Sequence, residues 1–426
     1  MHGVWKRTMA QNTTKTPLKQ IVILGGSYGG ISTAHYLLKH VVPRLPENEA
    51  CQVTLIGASS QAMCRPACPR ALISDDMFPQ NRLFVGIAEL FKQYPKGSFR
   101  FVQGTAMHLD DTNRTVAVTL SDGGPKIFVF HALVIATGAS TNSPLLGLHG
   151  DAGSLRASWA EFRDALPAAK SIVVVGGGPT GVETAAELGE YLNGRAGLFS
   201  SKLANPTVRI TLVTSGPRIL WYLPPSTAET AEKYLAAVGV NVIKNAWVTA
   251  IEPSDAGAVK VSAKAKLALD DGTTLDADLY IPATGTTPNT SFVQKSLQTQ
   301  DGRVNTNPST LRIDKSGPRI YAIGDASSAA RPAIHLIFPA VPVLCANIKR
   351  DLLLAAGVDE SSIGEDRIFK EDTRETQLVP VGRSKGVGAA MGYRLLSFLV
   401  WAIKGRDYWL WTTGALWSGR QWAKES

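Results

Sequence analysis

One stretch, Ser171 to Glu190 (SIVVVGGGPTGVETAAELGE), constrains this chain more than any other. The run Ile172 to Gly176 is apolar and rich in β-branched residues, so it reads as a buried parallel strand. Gly176, Gly178 and Gly181 follow with the spacing G-x-G-x-x-G. Beyond Gly181 the apolar period becomes helical, with Val182, Ala185, Ala186 and Leu188 facing a core. The order has a physical reason. The first glycine permits a tight turn, and the second lets a pyrophosphate approach bare backbone. The third lets helix and strand pack closely, and the helix N-terminus faces the negative charge. The alternative is a glycine-rich turn without a ligand, and the strand-to-helix context favours the phosphate site.

A second unit of the same kind lies upstream. Gln20 to Leu24 is an apolar strand, Gly25-Gly26-Ser27-Tyr28-Gly29-Gly30 is the turn, and Ile31 to His40 is the helix. Ser27 holds the middle fingerprint position and is small enough to admit a pyrophosphate. The next strand, Gln52 to Ile56, ends at Gly57, where a dinucleotide domain usually places an acid on the ribose hydroxyls. That contact is absent here or is taken by a hydroxyl or a backbone group. The equivalent strand of the later unit, Val208 to Val213, also ends without an acid, in Thr214-Ser215-Gly216-Pro217-Arg218. With Arg218 near, a 2′-phosphate is tolerated, which leans the expectation to NADP or dual use.

Further signals fit around these two units. Phe99 to Val102, Thr115 to Thr119 and Lys126 to Phe130 alternate like a small antiparallel crossover sheet, and residues 240–280 repeat that pattern. His131 to Gly138 (HALVIATG) is a buried strand ending in small residues, and Asp278 to Gly285 (DLYIPATG) mirrors it. Arg319 to Ala326 is an apolar strand ending in Gly324-Asp325. Asp325 there can accept from a ribityl hydroxyl or serve as a plain helix cap. The helix expected from Ala333 to Leu353 contains Pro339 and Pro342, so it is kinked or starts later. Cys64-Arg65-Pro66-Ala67-Cys68 reads as a redox dithiol or as two ordinary loop thiols. Arg70 is a candidate for a phosphate or flavin oxygen, with a salt bridge as the alternative.

Composition narrows the class. With 44% hydrophobic and 19% charged residues, the 426-residue chain is globular and long enough for two or three domains. Its net charge of +9 permits attraction to anionic surfaces and cofactors. No nucleic-acid motif or basic helix accompanies it, so a non-specific DNA-binding role ranks last and no specific nucleic acid is expected. Four cysteines are too few for a disulfide scaffold, which predicts an intracellular protein. The seven histidines are scattered, so no metal site is expected. No signal peptide is evident. The basic, acid-free arm 1–17 keeps a short mitochondrial presequence open, and His2 excludes N-myristoylation. No apolar run reaches the ~18 residues of a spanning helix.

Taken together, the turn 25–30, ATG 136–138, the turn 176–181, TG 284–285 and GD 324–325 resemble the two-dinucleotide-binding-domain flavoproteins. The match covers about residues 20–345. Within that superfamily the chain looks like the apoptosis-inducing factor 2 and ferroptosis suppressor protein group, with type II NADH dehydrogenases as more distant relatives. Val379 to Gly388 and the run Lys404-Gly405-Arg406-Asp407 resemble that group's C-terminal pattern. The resemblance implies an α/β fold of two Rossmann-like domains, glutathione-reductase-like, with the NAD(P) domain inserted in the FAD domain. The expected limits are an arm at 1–17, FAD-binding parts at 18–150 and 286–350, an NAD(P)H-binding domain at 151–285 and a C-terminal region at 351–426.

The resemblance further implies hydride transfer from NAD(P)H to FAD and onward electron transfer to a quinone-like acceptor. Gly25, Gly30, Thr137, Gly138 and Asp325 would touch FAD; Ser27, which departs from the family pattern, Gly29 and Arg70 are added from the residues themselves. Gly176, Gly178, Gly181 and Gly285 would line the nicotinamide nucleotide, with Arg218 at its ribose end. Glu183 matches the Glu of a G-V-E motif at the flavin–nicotinamide interface, as a catalytic or a packing residue. Competing functions are a soluble flavin oxidoreductase for a small hydrophobic metabolite, with the tail in its pocket, and a disulfide or sulfide reductase using Cys64 and Cys68.

The tail has its own chemistry. Residues 393–426 hold five of the nine tryptophans: Trp401, Trp409, Trp411, Trp417 and Trp422. Leu395 to Ile403 is apolar apart from Ser397 and is flanked by Arg394, Lys404 and Arg406. Such a segment suits an amphipathic helix lying in a membrane interface, with its cations on lipid phosphates. The alternative is packing on the body or on a twin subunit, which would make a homodimer.

Overall fold

The structure, a computed structural model, is described over residues 18–46, 50–197 and 200–425. The basic arm 1–17 and His2 lie outside the described residues. A seven-stranded sheet runs in the order Ile320–Ala322, Ala132–Ile135, Lys19–Leu24, Cys51–Gly57, Phe99–Asp110, Thr115–Leu120, Pro125–Val129. Its first five strands are parallel. Ile21, Val22, Ile23 and Leu24 are buried, as expected of a strand covered on both faces.

The expected crossover sheet is not separate. Phe99–Asp110 pairs parallel with Cys51–Gly57 over its first half and antiparallel with Thr115–Leu120 over its second. Gly104 sits at the change of partner, where a β-carbon would lie 2.8 Å from the carbonyl oxygen of Thr119. The strand therefore runs on through a position that only glycine fits.

Between Ala132–Ile135 and Ile320–Ala322, which are neighbours in the first sheet, the chain builds a second unit. Its parallel sheet has the order Val240–Ile243, Arg209–Val213, Ser171–Val175, Leu279–Pro282. The antiparallel strands Val248–Glu252, Ala265–Leu269 and Thr274–Ala277 pack beside it. One Rossmann-like unit is thus inserted in another.

The two glycine turns are built alike. Gly25 and Gly176 have φ of +117° and +128°, and a β-carbon on either would lie 2.1 Å from a carbonyl oxygen, of Ala136 or Ala283. On Gly30 or Gly181 it would lie 1.8 or 1.9 Å from the carbonyl oxygen of Gly25 or Gly176. These four glycines hold each helix close to its strand, as the third fingerprint position requires. The first helix, Tyr28–Tyr36, begins three residues earlier than its apolar period suggests, because Gly29 and Gly30 are already helical. Ile334–Ala355 is one helix with both prolines inside.

The C-terminal region departs most from expectation. Strands Gln377–Val381, Lys385–Ala390 and Tyr393–Arg394 form a further sheet against the helix Pro179–Asn193. The segment Ser397–Val400 runs into a wide turn, Trp401–Gly405. Its cation departs from expectation, while its apolar side chains face outward as an interfacial segment would have them. Lys404 is buried, whereas Leu396 and Phe398 are 64% and 61% exposed.

The chain then returns to the first domain as the helix Leu410–Trp417, with Leu416, Trp417 and Trp422 buried. A ring N–H of His35 donates to the Trp417 carbonyl and one of His40 to the Trp422 carbonyl, each at 2.8 Å. Trp417 also packs on Tyr28 of the first glycine turn, with ring centroids 4.9 Å apart. Much of the tail is therefore an internal element. No helix among the described residues is long and apolar enough to cross a membrane.

Candidate active site

A cleft of about 1360 Å³ opens where the inserted unit, the first domain and the tail meet. Of the residues singled out above, Gly176, Gly178, Glu183, Arg218, Gly285 and Asp325 line it. Gly178 stands at the N-terminus of Pro179–Asn193 with no atom within 4 Å of the place a β-carbon would take. That open space beside backbone N–H groups suits a pyrophosphate. Asp325 enters from the short turn Gly324–Ala326, well before the long helix at Ile334, so it does not cap that helix. Burial raises its pKa, and nearby Arg65 opposes the rise. Arg65 in turn donates to the Ala139 carbonyl at 2.6 Å. This holds the Cys64–Cys68 loop against the A-T-G turn.

The remaining candidates do not line this cleft. Gly181 and Gly30 are packing positions, and Gly29 lies under Ile323 and Ala136. Gly25 and Ser27 belong to the first turn, with Ser27 exposed. The Thr137 hydroxyl donates to the Asn289 carbonyl at 2.7 Å, and Asn289 closes back on Thr137 and Gly138. Thr137 and Gly138 thus fix the turn, and the threonine side chain is already engaged. Arg70 needs a correction. It is buried in a two-pronged pair with Glu187, at 2.9 and 2.8 Å, and does not line the cleft. Arg218 lines the cleft mouth and donates to the Trp221 carbonyl at 2.9 Å.

The helix Pro179–Asn193 carries a feature the apolar stripe concealed. Glu183, Glu187 and Glu190 recur at spacings of four and three, so they share one face. Each meets a cation. Glu183 accepts from Lys404 Nζ at 2.5 Å, Glu187 is held by Arg70 and by the Tyr408 hydroxyl at 2.9 Å, and Glu190 pairs with Arg195 at 2.8 Å. Lys404 and Tyr408 are themselves four apart and come from the tail. Lys404 Nζ also donates to the Leu378 carbonyl at 3.0 Å and lies 5.2 Å from the centroid of the Trp409 ring. Burial pushes the Glu183 carboxyl up to about 7, against the pull of Lys404. A group poised there can take or give a proton near neutral pH. Both Glu183 and Lys404 line the cleft, as does Trp409.

Lys404 and Trp409 were the residues missed as site residues. The available signal was the acid spacing: carboxylates on a helix bearing a core-facing stripe need buried cations. Cys64 and Cys68 are both buried free thiols, and burial pushes them up to about 11 and about 12. Neither has the exposed, electropositive setting of a reactive thiolate.

Residues 19–341 match the family model described as pyridine nucleotide-disulphide oxidoreductase. The chain belongs to this family. It is 63% identical over 414 residues to oxidoreductase phnG of Penicillium herquei, covering 97% of this chain and 99% of that protein. It is 25% identical over 411 residues to human ferroptosis suppressor protein 1, covering 95% and 97% respectively. In fold it is similar to the sulfide:quinone oxidoreductase of Aquifex aeolicus. There the TM-score is 0.67 at 17% identity, covering 94% of this chain and 92% of that one.

The chain is accordingly an FAD-containing, NAD(P)H-dependent oxidoreductase. Its own residues fit both groups. The Gly25 turn and helix Tyr28–Tyr36 would hold the FAD pyrophosphate, and Asp325 the ribityl chain. The Gly176 turn and Gly178 would hold that of NAD(P)H. FAD, when bound, would supply a hydride acceptor that no protein side chain provides.

Proposed function

We propose that this oxidoreductase takes hydride from NAD(P)H and delivers the electrons to a quinone-like acceptor at a membrane surface. The observation that carries this reading is the buried Glu183–Lys404 pair on the wall of the cleft. A quinone takes up two protons with two electrons, and this pair offers a titratable group beside a fixed cation. Glu183 holds the proton near neutral pH. Lys404 keeps the carboxyl oriented through Glu183 Oε1 and the Leu378 carbonyl. Support comes also from a relative whose name specifies a quinone, a demethylphylloquinone reductase of Synechocystis that is 27% identical over 337 residues. Tyr393, Leu396 and Phe398 are all more than 60% exposed, and Trp401, Ile403 and Trp411 are exposed in the same tail, which suits a membrane interface.

A second reading is favoured by Trp409. Because the tail lines the cleft, the acceptor can be a small hydrophobic molecule bound from solution, with Trp409 in its pocket. One experiment separates the two. FAD-loaded enzyme is reduced with NADH or NADPH and mixed with a short-chain ubiquinone analogue, oxygen or a panel of small aromatic carbonyl compounds. Reoxidation by the quinone far faster than by oxygen supports the proposal, and equal rates overturn it. Liposome flotation tests the membrane part: the protein should float with anionic vesicles and a Phe398→Glu variant should not. A tail truncation is unsuited to this test, since it removes Lys404 and the buried Trp417 and Trp422.

A further inference from the structure

Three aromatic side chains at the mouth of the cleft are far more exposed than their size warrants. Trp221 and Tyr222 are each 59% exposed and Trp247 is 64% exposed. All three line the cleft together with Thr214, Ser215 and Arg218. Their placement is fixed by backbone. Leu220 N–H donates to the Gly177 carbonyl at 2.7 Å, which ties the loop bearing Trp221 and Tyr222 to the fingerprint turn. Ala246 N–H donates to the Thr214 carbonyl at 3.1 Å, and Asn245 N–H to the Gly216 carbonyl at 3.0 Å. Trp247 is thereby anchored beside the end of Arg209–Val213, and its own N–H donates to Asp270 at 2.9 Å. Trp221 and Tyr222 already stack on each other, with centroids 3.6 Å apart and planes 29° apart.

This is the place where a dinucleotide domain normally supplies an acid to the adenine ribose, and here that strand ends in Thr214-Ser215. Losing the acid removes a charge-assisted hydrogen bond. Exposed rings on two loops flanking the same point offer a replacement of a different kind. An adenine presents two π-faces, and base–aromatic stacking is strong without any hydrogen-bond readout.

We propose that the adenine of the hydride donor is held by aromatic stacking at Trp221–Tyr222 and Trp247, in place of an acid–ribose contact. The inference rests on the dinucleotide being the hydride donor and is independent of the electron acceptor. A site that grips the base and leaves the ribose 2′ position uncommitted accepts both NADH and NADPH, with Arg218 alone weighting the 2′-phosphate.

The test uses FAD-loaded enzyme and reads only the reductive half-reaction, so its failure is distinct from failure of the quinone reading. Trp247→Ala and Trp221→Ala should each raise the apparent Kd for NADH and NADPH in stopped-flow flavin reduction by about tenfold. That factor corresponds to about 1.4 kcal/mol. The limiting reduction rate should stay within about twofold. Reduced nicotinamide mononucleotide, which lacks the adenine, should lose nothing in either variant. A second readout needs no turnover. ADP-ribose should quench tryptophan fluorescence of the wild-type enzyme saturably, and each variant should weaken that binding by the same tenfold. Loss of reduction by the mononucleotide as strongly as by NADH, or undiminished ADP-ribose binding in both variants, overturns the proposal.

Discussion

Replacing Lys404 by methionine tests the central contact of the cleft. The substitution keeps the stem but leaves Glu183 buried with no cation in contact at Oε1. Removing one partner of a buried pair costs about 3–5 kcal/mol, because the remaining charge is uncompensated. Glu183 can escape that cost by binding a proton. Its pKa already lies near 7 with Lys404 in place, so without it the value rises further. The sign follows from linkage. A carboxyl whose folded pKa exceeds its unfolded value of 4.5 binds more protons in the folded state between those two values. Stability therefore falls as pH rises through that window and is unaffected below it.

Each unit of added shift deepens the loss by about 1.4 kcal/mol on the alkaline side. The variant should be close to wild type at pH 5 and well below it at pH 8.5. Wild type loses the same stability up to pH 7, so the extra loss at pH 8.5 is about 2 kcal/mol, and at about 2–4 °C per kcal/mol for a 150–250-residue unit the deficit there is about 4–8 °C in Tm. Thermal unfolding of FAD-loaded enzyme at pH 5, 7 and 8.5 measures it. The double variant Glu183→Gln with Lys404→Met should lose the added slope, because the Glu183 carboxyl that produces it is gone. A Lys404→Met deficit equal at all three pH values would refute the reasoning. So would a double variant that keeps the added slope.

Other outcomes follow from the same geometry. Gly178→Ala should fold normally, since its β-carbon meets nothing within 4 Å, yet raise KM for NAD(P)H at unchanged Tm by crowding the pyrophosphate. Gly181→Ala, by contrast, should lower Tm through its 1.9 Å approach to the Gly176 carbonyl, as unfolding scans will show. Cys64 and Cys68, held protonated by burial, should resist iodoacetamide at pH 8 in native enzyme and react after unfolding, as mass spectrometry will read. Arg312→Met should cost about 3–5 kcal/mol in chemical denaturation, because it strands Asp351, which pairs at 2.7 Å, as well as Asp366.

What was legible in the sequence divides along a physical line. The strand–glycine–helix units at 25–30 and 176–181 could be read because backbone sterics dictate glycine where a carbonyl lies 2 Å from any β-carbon. Such constraints are local and leave a mark in a single window. The insertion of one sheet in another was readable from the repeat of those marks. Arg70 and Lys404 were not, because their partners are distant in sequence, and Trp409 reaches the cleft only with Lys404. Arg70 meets Glu187 across 117 positions, and Lys404 meets Glu183 across 221. A basic residue after an apolar run has the same local pattern whether it faces lipid phosphate or a buried carboxylate.

The information that separates those two cases lies on the other helix. Glu183 and Glu187 sit one turn apart on Pro179–Asn193, and Lys404 and Tyr408 one turn apart on the tail. Two elements with matching four-residue spacing and complementary chemistry can dock in one register only, since any shift would leave a carboxylate buried and unpaired. The tail is thus bound to the nucleotide-binding helix by the same groups that line the cleft. Leu396 and Phe398, at the start of the same segment, stand exposed while Lys404 is buried, so the apolar surface lies beside the charge pair that shapes the site. A variant that breaks Glu183–Lys404 is therefore expected to weaken vesicle binding and electron transfer together, whereas Phe398→Glu should weaken vesicle binding and leave hydride transfer from NAD(P)H intact.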